Sequence, residues 1–159
     1  MIGISFNKKE FEYDAYTLVK AFYPKEEVEM YCTLEEEAPR EYEKLVSIFY
    51  GDQVRIGIHT KDQVLEDSAP YDEGEDRKSR KNTLKQILYK LLAQETGHTL
   101  PWGNLTGIRP VKIAMGLIEE GMTNVQAAEY MRETYFTSNE KTALAITIAN
   151  RERDILKDI

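Results

Sequence analysis

The part of this sequence best suited to chemistry is LPWGNLTGIRP, residues 100–110, together with Lys112. It holds two prolines, two glycines and the only tryptophan of the chain. Proline fixes φ near about −65° and restricts the residue before it, so a segment between two prolines has little conformational freedom to lose on binding. Pro110 suits the first position of a helix, and helix N-termini favour anions. With Arg109 and Lys112 beside it, the segment is predicted to bind an anion or to dock another domain.

The candidate site residues all come from this segment and the helix that follows it. The glycines permit positive φ or a close backbone approach, the asparagine and threonine can hydrogen-bond nearby backbone groups, and the tryptophan offers a flat apolar face. The candidates are Trp102, Gly103, Asn104, Thr106, Gly107, Arg109 and Lys112. A structural alternative stays open, in which the segment is a rigid connector, Trp102 fills the core and Arg109 pairs with a carboxylate.

Residues that commonly carry catalysis or hold metals are scarce in the rest of the chain. The histidines, His59 and His98, lack cysteine or acidic neighbours at metal-ligand spacing, and we expect both to be incidental. Cys32 is the only cysteine and lies in an alternating apolar pattern, which indicates a core position. The GxGxxG, Walker, GxSxG and HExxH patterns are absent from the sequence. We therefore predict no catalytic, cofactor-binding or metal-binding residue in this chain.

Charge and hydropathy narrow the classes of partner. The net charge is −7 over 159 residues; residues 1–74 carry 8 Lys/Arg against 17 Asp/Glu, a balance of −9, and residues 75–159 carry 13 against 11, a balance of +2. Nucleic-acid binding depends on neutralising phosphates, so we expect no nucleic-acid partner. No apolar run approaches the roughly 20 residues of a membrane span, and the N-terminus lacks the pattern of a secretory signal. We expect no membrane partner and a cytoplasmic location.

Hydrophobic periodicity predicts strands in the first part of the chain. Apolar residues alternate over 2–6 and 28–34, and helical spacing over 11–22 predicts a helix between these strands. In the second strand Cys32 and Leu34 are expected on the buried face and Tyr31 on the polar face. Residues 45–58 predict a hairpin, because Gly51-Asp52 suits a two-residue turn. The residues expected on its apolar face are Leu45, Ser47, Phe49, Val54, Ile56 and Ile58. The polar, acidic residues 60–76 that follow predict a loop.

The sequence patterns of the second part of the chain predict helices. A stripe of leucines and isoleucine in KNTLKQILYKLLAQETG, residues 81–97, predicts a helix that stops at Gly97. The basic residues at 77–81 lie at its start and either are solvated or bind an acidic partner. Three helices are predicted after Pro110; Thr123 with Gln126 forms a capping box for the second, and Ser138 caps the third. The stripes expected to face the core are Val125, Ala128, Met131 and Tyr135, then Leu144, Ile148 and Ile155.

Together these patterns predict an α+β fold. A small mixed β-sheet of about four strands with one or two helices is followed by an all-helical segment of three to four helices. We place the acidic α+β domain at residues 1–95 and the helical segment, which begins with the PWGNLTGIRP turn, at 96–159.

PWGNLTGIRPVKIA, residues 101–114, closely resembles a segment of the HemZ-type oxygen-independent coproporphyrinogen III dehydrogenases, which are radical SAM proteins. In that family a PWG-x-LTGIRP-x-K-like sequence lies ahead of the catalytic domain. The resemblance covers about residues 84–156, including YFTSNEKTALAITIANRERDIL, and is weaker over the first 75 residues.

The resemblance implies a parent enzyme that uses a [4Fe–4S] cluster and S-adenosylmethionine. Its relatives convert coproporphyrinogen III to protoporphyrinogen IX in haem biosynthesis. The cluster requires a CxxxCxxC motif, so no catalytic or cofactor residue carries over to a chain whose only cysteine is Cys32. Both cofactors are expected in a missing radical SAM domain. We therefore expect a truncated, non-catalytic N-terminal region that packs on that domain or helps hold an anionic tetrapyrrole through Arg109 and Trp102.

Other functions stay open on the sequence alone. The strand–helix–strand start and a half-covered sheet face fit an independent protein- or RNA-binding module, although the acidic first part disfavours RNA. The parent can also be a haem chaperone-like radical SAM relative, because likeness of fold does not transmit activity. An independent enzyme is a further option, which no nucleophile–base pair or metal cluster in the sequence supports.

Overall fold

The computed structural model describes residues 1–106 and 109–157. The chain divides into two compact units, Met1–His98 and Thr99–Ile159. Among the described residues the first unit holds five strands and two helices and the second holds three helices. The predicted α+β class is therefore confirmed, with one strand more than expected. No helix in these ranges has the length and hydropathy that crossing a membrane requires.

The first unit is built on one mixed β-sheet with the strand order β2-β1-β3-β4-β5. β1 pairs in parallel with β2 and β3, while β3–β4 and β4–β5 are antiparallel. The elements of this unit are β1 (Ile2–Phe6), α1 (Glu12–Phe22), β2 (Val28–Cys32), β3 (Lys44–Tyr50), β4 (Gln53–His59), β5 (Val64–Pro70) and α2 (Arg77–Thr96).

The strand pattern over 28–34 is only partly what the alternation predicted. Cys32 is buried as expected, at 5% exposure. Leu34 was expected on the same buried face but is 81% exposed, because the strand ends at Cys32 and the chain turns there, with the amide of Glu35 donating to the carbonyl of Cys32 at 3.1 Å. Tyr31, expected on the polar face, is buried and stacks on Tyr42.

The β3–β4 hairpin turns where predicted, but its register differs by one residue. Tyr50 pairs with Val54, so three residues separate the paired positions instead of four. A shift of one residue moves every side chain of a strand to the other face. The expected face is therefore wrong for β3: Val46, Ile48 and Tyr50 are buried beside the β4 residues, and Phe49 is 56% exposed.

The segment 60–76 is not a loop throughout, because it contains β5. This strand lies at the sheet edge and pairs only with β4 in the described sheet. Most of its residues are exposed, and Pro70 ends it. Acidic residues and a terminal proline are typical of edge strands, which must avoid pairing with other chains. The same features hid the strand from a prediction based on apolar alternation.

Helix α2 behaves as its sequence pattern predicts. Its apolar stripe is buried, the Asp76 side chain accepts a hydrogen bond from the Ser79 amide at the N-terminus, and Gly97 ends the helix with φ +73°. The basic residues at its start have partners within the first unit. Arg80 forms an ion pair with Glu10, and the Arg77 guanidinium lies 4.7 Å from the ring centre of Phe11.

The second unit packs α3 (Pro110–Glu119), α4 (Asn124–Tyr135) and α5 (Asn139–Lys157) around one core. The caps are as predicted. Thr123 and Gln126 exchange hydrogen bonds of 3.0 and 3.1 Å, and Ser138 accepts from the Lys141 amide at 3.1 Å. Two predicted stripes are partly wrong. Val125 on α4 is 67% exposed, and Leu144 and Ile155, which were predicted to face the core on α5, are 43% and 59% exposed. The residues of α5 that face the core are Thr142, Ala145, Ile146 and Ala149.

Candidate functional site

Residues 100–105 form a tight turn held by its own backbone. The amide of Gly103 donates to the carbonyl of Leu100 at 2.9 Å, and the amide of Leu105 donates to that of Trp102 at 3.1 Å. Gly103 has φ +58°, a left-handed conformation that glycine adopts without the steric penalty of a side chain. The two hydrogen bonds and the conformation of Gly103 together define the turn at residues 100–105.

The turn is joined to the connection between α4 and α5. The Asn104 amide donates to the carbonyl of Tyr135 at 2.8 Å, and its side chain donates to that of Thr134 at 3.2 Å. The Ser138 amide donates to the carbonyl of Pro101 at 2.9 Å. Asn104 is 1% exposed. Gly103 and Asn104 are therefore both buried, and the hydrogen bonds of Asn104 stabilise the turn.

Trp102 lies at the edge of the helical core. Its side chain is half-buried against that core, and the Lys141 ammonium lies 5.7 Å from the centre of its ring. A cation over an indole ring is attracted to its π face. Trp102 therefore fills space in the core while keeping part of its ring accessible.

Arg109 and Lys112 follow the turn in the sequence and lie at the start of α3. Arg109 precedes the helix with extended backbone, its side chain makes no capping hydrogen bond, and Pro110 occupies the first helical turn. Both cationic side chains are exposed. Within residues 1–106 and 109–157, neither side chain has a carboxylate within 4.0 Å. The ion pair that the connector alternative assigns to Arg109 is not found there.

A shallow groove of about 800 Å³ runs along α3 from these cations. Its lining is cationic at one end of α3, apolar in the middle and acidic at the other end, where α5 contributes a carboxylate. The lining residues are Arg109, Pro110, Val111, Lys112, Met115, Gly116, Glu119 and Glu152. Arg109 and Lys112 can pair with a carboxylate of a ligand, and Val111 and Met115 can contact an apolar part of the same ligand.

The two remaining candidate site residues are Thr106 and Gly107. Thr106 is half-buried between the turn and α3. Gly107 lies outside the described residues, together with Ile108.

The donor atoms of the chain do not fit an iron–sulfur cluster of the radical SAM type. Such a cluster needs three cysteine thiolates, and the sequence supplies only Cys32, which is buried in β2. Across the described residues, no three His, Cys, Asp or Glu side chains are grouped as a metal site requires.

Sequence reasoning missed one polar pair on the exposed face of the sheet. The Ser47 hydroxyl lies 2.9 Å from Nε2 of His59, which we had expected to be incidental. Gly57 makes room for this pair, because a Cβ at that position would lie 3.0 Å from both atoms. The observed register of β3 and β4 is what brings them together, so no local signal predicts the pair. No acidic side chain contacts His59 in the part of the chain that is described, and the pair is a hydrogen bond without a third group to orient it.

Comparison with known proteins supports a relationship to HemZ-like proteins. Over 82 residues, 52% of this chain, the sequence is 36% identical to the oxygen-independent coproporphyrinogen-III oxidase-like protein HemZ of Bacillus subtilis (strain 168). The aligned part is 16% of that protein, so the match spans a small share of its length. No family model matches the chain, and no solved structure gives a significant match. The chain is thus similar, over about half of its length, to a coproporphyrinogen oxidase-like protein.

Proposed function

We propose that this chain is a non-catalytic region of a HemZ-like radical SAM oxidoreductase that converts coproporphyrinogen III to protoporphyrinogen IX. In this proposal the iron–sulfur cluster and S-adenosylmethionine are held by a catalytic domain that the present sequence lacks. The helical unit packs beside that domain and helps hold the anionic tetrapyrrole. The observation that carries the proposal is the pair of exposed cations, Arg109 and Lys112, at the cationic end of the groove along α3.

The chemistry of the groove suits a ligand with carboxylates around an apolar ring. Coproporphyrinogen carries four propionates, and arginine binds a carboxylate through two parallel hydrogen bonds. Val111 and Met115 line the groove beside the cations and can contact the pyrrole carbons. Glu119 and Glu152 repel a further carboxylate, which restricts the propionates to the end of the groove near Arg109.

The turn that precedes α3 adds to the expected affinity. A site whose backbone is already fixed has less conformational entropy to lose when the ligand binds. Gly103 and Asn104 supply this rigidity through their contacts with Tyr135. Their role in the proposal is to position Arg109, and they do not touch the ligand.

The proposal is tested by titrating the chain with coproporphyrin III, the stable oxidised tetracarboxylate, and following the emission of Trp102. Trp102 is the only tryptophan, so its quenching by the porphyrin gives a single binding signal, and the variants assign the site. Arg109→Ala and Lys112→Ala are each expected to weaken binding about twofold to fivefold, the effect of removing one exposed ion pair of about 0.5–1 kcal/mol.

Lys25→Ala is the matched control, because Lys25 is an exposed cation in the first unit. It removes the same charge and is expected to leave the affinity unchanged. Saturable binding that Arg109→Ala and Lys112→Ala leave intact would exclude this role for the two cations. An equal loss of affinity in all three variants would show that binding depends on the net charge of the chain and not on these two cations.

The exposed face of the sheet favours a second candidate, an RNA-binding module. Phe49 and Arg55 are paired across β3 and β4 and both are exposed, which is a combination that stacks on unpaired bases. Glu66 and Asp67 border the same surface and oppose a phosphate backbone. Filter binding of single-stranded RNA at low salt separates the candidates, since the tetrapyrrole proposal expects no retention.

A further inference from the structure

The groove along α3 carries opposite charges at its two ends. Arg109 and Lys112 line it at the start of α3, and Glu119, the last residue of α3, lines it at the other end. Arg109 and Glu119 are ten positions apart, which is about 15 Å along a helix at 1.5 Å per residue. The helix dipole has the same direction, because it favours an anion at the start of α3 and disfavours one at its end.

Glu152 of α5 joins Glu119 at the acidic end of the groove. The side chain of Asn150, two positions before it, donates a hydrogen bond of 3.0 Å to Asn124, which begins α4 just after the end of α3. Glu119 and Glu152 are both exposed, and among the residues that the structure describes no cationic group lies within 4.0 Å of either carboxylate. This end of the groove therefore presents two carboxylates without a described ion pair.

We propose that the groove prefers a tetrapyrrole whose carboxylates lie together on one edge to a tetrapyrrole with carboxylates on opposite edges. This inference rests on the proposed function, because it concerns the ligand that the groove is proposed to hold. A ligand of the first kind places its carboxylates against Arg109 and Lys112 and its apolar edge toward Glu119. A ligand of the second kind brings a carboxylate toward Glu119 and Glu152 as well, and these like charges repel it.

The proposed reaction changes the ligand in this respect. Coproporphyrinogen III carries its four propionates around the whole ring. Protoporphyrinogen IX keeps two of them on neighbouring pyrroles and has vinyl groups in place of the others. The groove therefore favours the arrangement of carboxylates in the product, and Glu119 and Glu152 determine this specificity.

Coproporphyrin III and mesoporphyrin IX are the matched probes for a test. The two molecules differ only where mesoporphyrin IX has two ethyl groups and coproporphyrin III has two further propionates. Titration of the whole chain with each probe, followed by the quenching of Trp102 emission, measures the two affinities. We expect mesoporphyrin IX to bind more tightly. Its ethyl groups are also more apolar, so variants of the chain must separate repulsion from the hydrophobic effect.

Glu119→Gln and Glu152→Gln remove the repulsion with little change in the shape of the groove. Each should tighten the binding of coproporphyrin III about twofold to fivefold, the effect of one exposed charge pair, and leave the binding of mesoporphyrin IX unchanged. The gain should shrink at about 0.5 M salt, because salt screens exposed charges. Glu129→Gln is the matched control, since Glu129 is an exposed carboxylate on α4 that does not line the groove. It should change neither affinity.

The outcomes separate this inference from the proposed function. If Arg109→Ala weakens the binding of both probes but neither glutamine variant changes the ratio of the two affinities, the inference is overturned and the proposed function is not. An equal gain in Glu129→Gln overturns the inference as well, because it assigns the preference to the net charge of the chain. If neither probe binds saturably, the inference and the proposed function are overturned together.

Discussion

The backbone amide of Asn104 donates a hydrogen bond of 2.8 Å to the carbonyl oxygen of Tyr135. The preceding residue approaches the same carbonyl so closely that a Cβ at Gly103 would lie 1.8 Å from its oxygen. The end of α4 therefore holds the turn from which the chain continues toward Arg109. The turn at residues 100–105 therefore depends on a contact between backbone groups about 30 residues apart in the sequence.

Gly103→Ala is expected to destabilise the second unit strongly. The new methyl group clashes with the backbone at Tyr135 and Phe136, and alanine also disfavours φ +58°. Backbone cannot rotate away as a flexible side chain can, so we expect the free energy of unfolding to fall by about 2 kcal/mol or more. Urea unfolding followed by Trp102 emission measures this change in the unit that contains the turn.

Gly116→Ala is the matched control for that experiment. Gly116 lies inside α3, and a Cβ there would meet no atom within 4 Å. Alanine is the better helix former, so this variant should gain up to about 1 kcal/mol. An equal fall in the free energy of unfolding of the two variants would show that the contact of Gly103 with Tyr135 does not cause the destabilisation.

Lys85→Met is expected to stabilise the first unit. Lys85 is only 3% exposed on α2, and burial lowers the pKa of its ammonium group, partly opposed by the charge of Asp14. A buried lysine must either stay charged in an apolar site or release its proton, and both are unfavourable near neutral pH. Methionine has a similar shape without the charge, and we expect a gain of about 1 kcal/mol at pH 7.

The pH dependence of this gain identifies its cause. In the folded state Lys85 binds its proton less tightly than in the unfolded state, where the ordinary value is 10.5. Its penalty is therefore full below the lowered folded pKa and disappears as the pH rises toward 10.5. The advantage of Lys85→Met, measured by urea unfolding at several pH values, should shrink over that window. An advantage that does not change with pH would assign the gain to packing.

Glu10→Gln is expected to destabilise the first unit at neutral pH and to have little effect in acid. Burial works against ionisation of this carboxyl, but hydrogen bonds from Tyr71 and Lys8 and the charge of Arg80 outweigh it and lower its pKa below the ordinary 4.5. The ionised group therefore contributes stability above pH 4.5 that is lost as the pH falls through the folded pKa.

Thermal unfolding of Glu10→Gln and of the unmodified chain across this range measures the difference. Glu35→Gln is the control, because the ion pair of Glu35 with Lys9 is exposed and such pairs add little. A difference between Glu10→Gln and the unmodified chain that persists undiminished at pH about 3 would contradict the ionic origin of the effect.

Local signals in the sequence predicted local structure well. The capping box of Thr123 and Gln126 and the stop of α2 at Gly97 depend on residues within one helical turn, and both are confirmed. The class of fold follows in the same way from the order of apolar patterns.

The predictions that were wrong depend on contacts between residues that are far apart in the sequence. The outward face of α5 depends on which side α3 and α4 cover, and β5 becomes a strand only because β4 pairs with it. At the candidate site, the sequence singled out Gly103, Asn104, Arg109 and Lys112 together. It could not separate the first two, which support the turn, from the exposed cations, because the carbonyls that bind Asn104 belong to residues 134 and 135.

The register of the β3–β4 hairpin can be tested with two neighbouring substitutions. With Tyr50 paired to Val54, Ile48 points into the core at 3% exposure while Phe49 is 56% exposed. Ile48→Ala should therefore lower the free energy of unfolding of the first unit by about 2–5 kcal/mol, through lost burial and the cavity left behind. Phe49→Ala should change it by about 0.5 kcal/mol or less, as most exposed substitutions do. Urea unfolding followed by circular dichroism compares them, and a larger loss for Phe49→Ala would favour the two-residue turn, in which Phe49 faces the core.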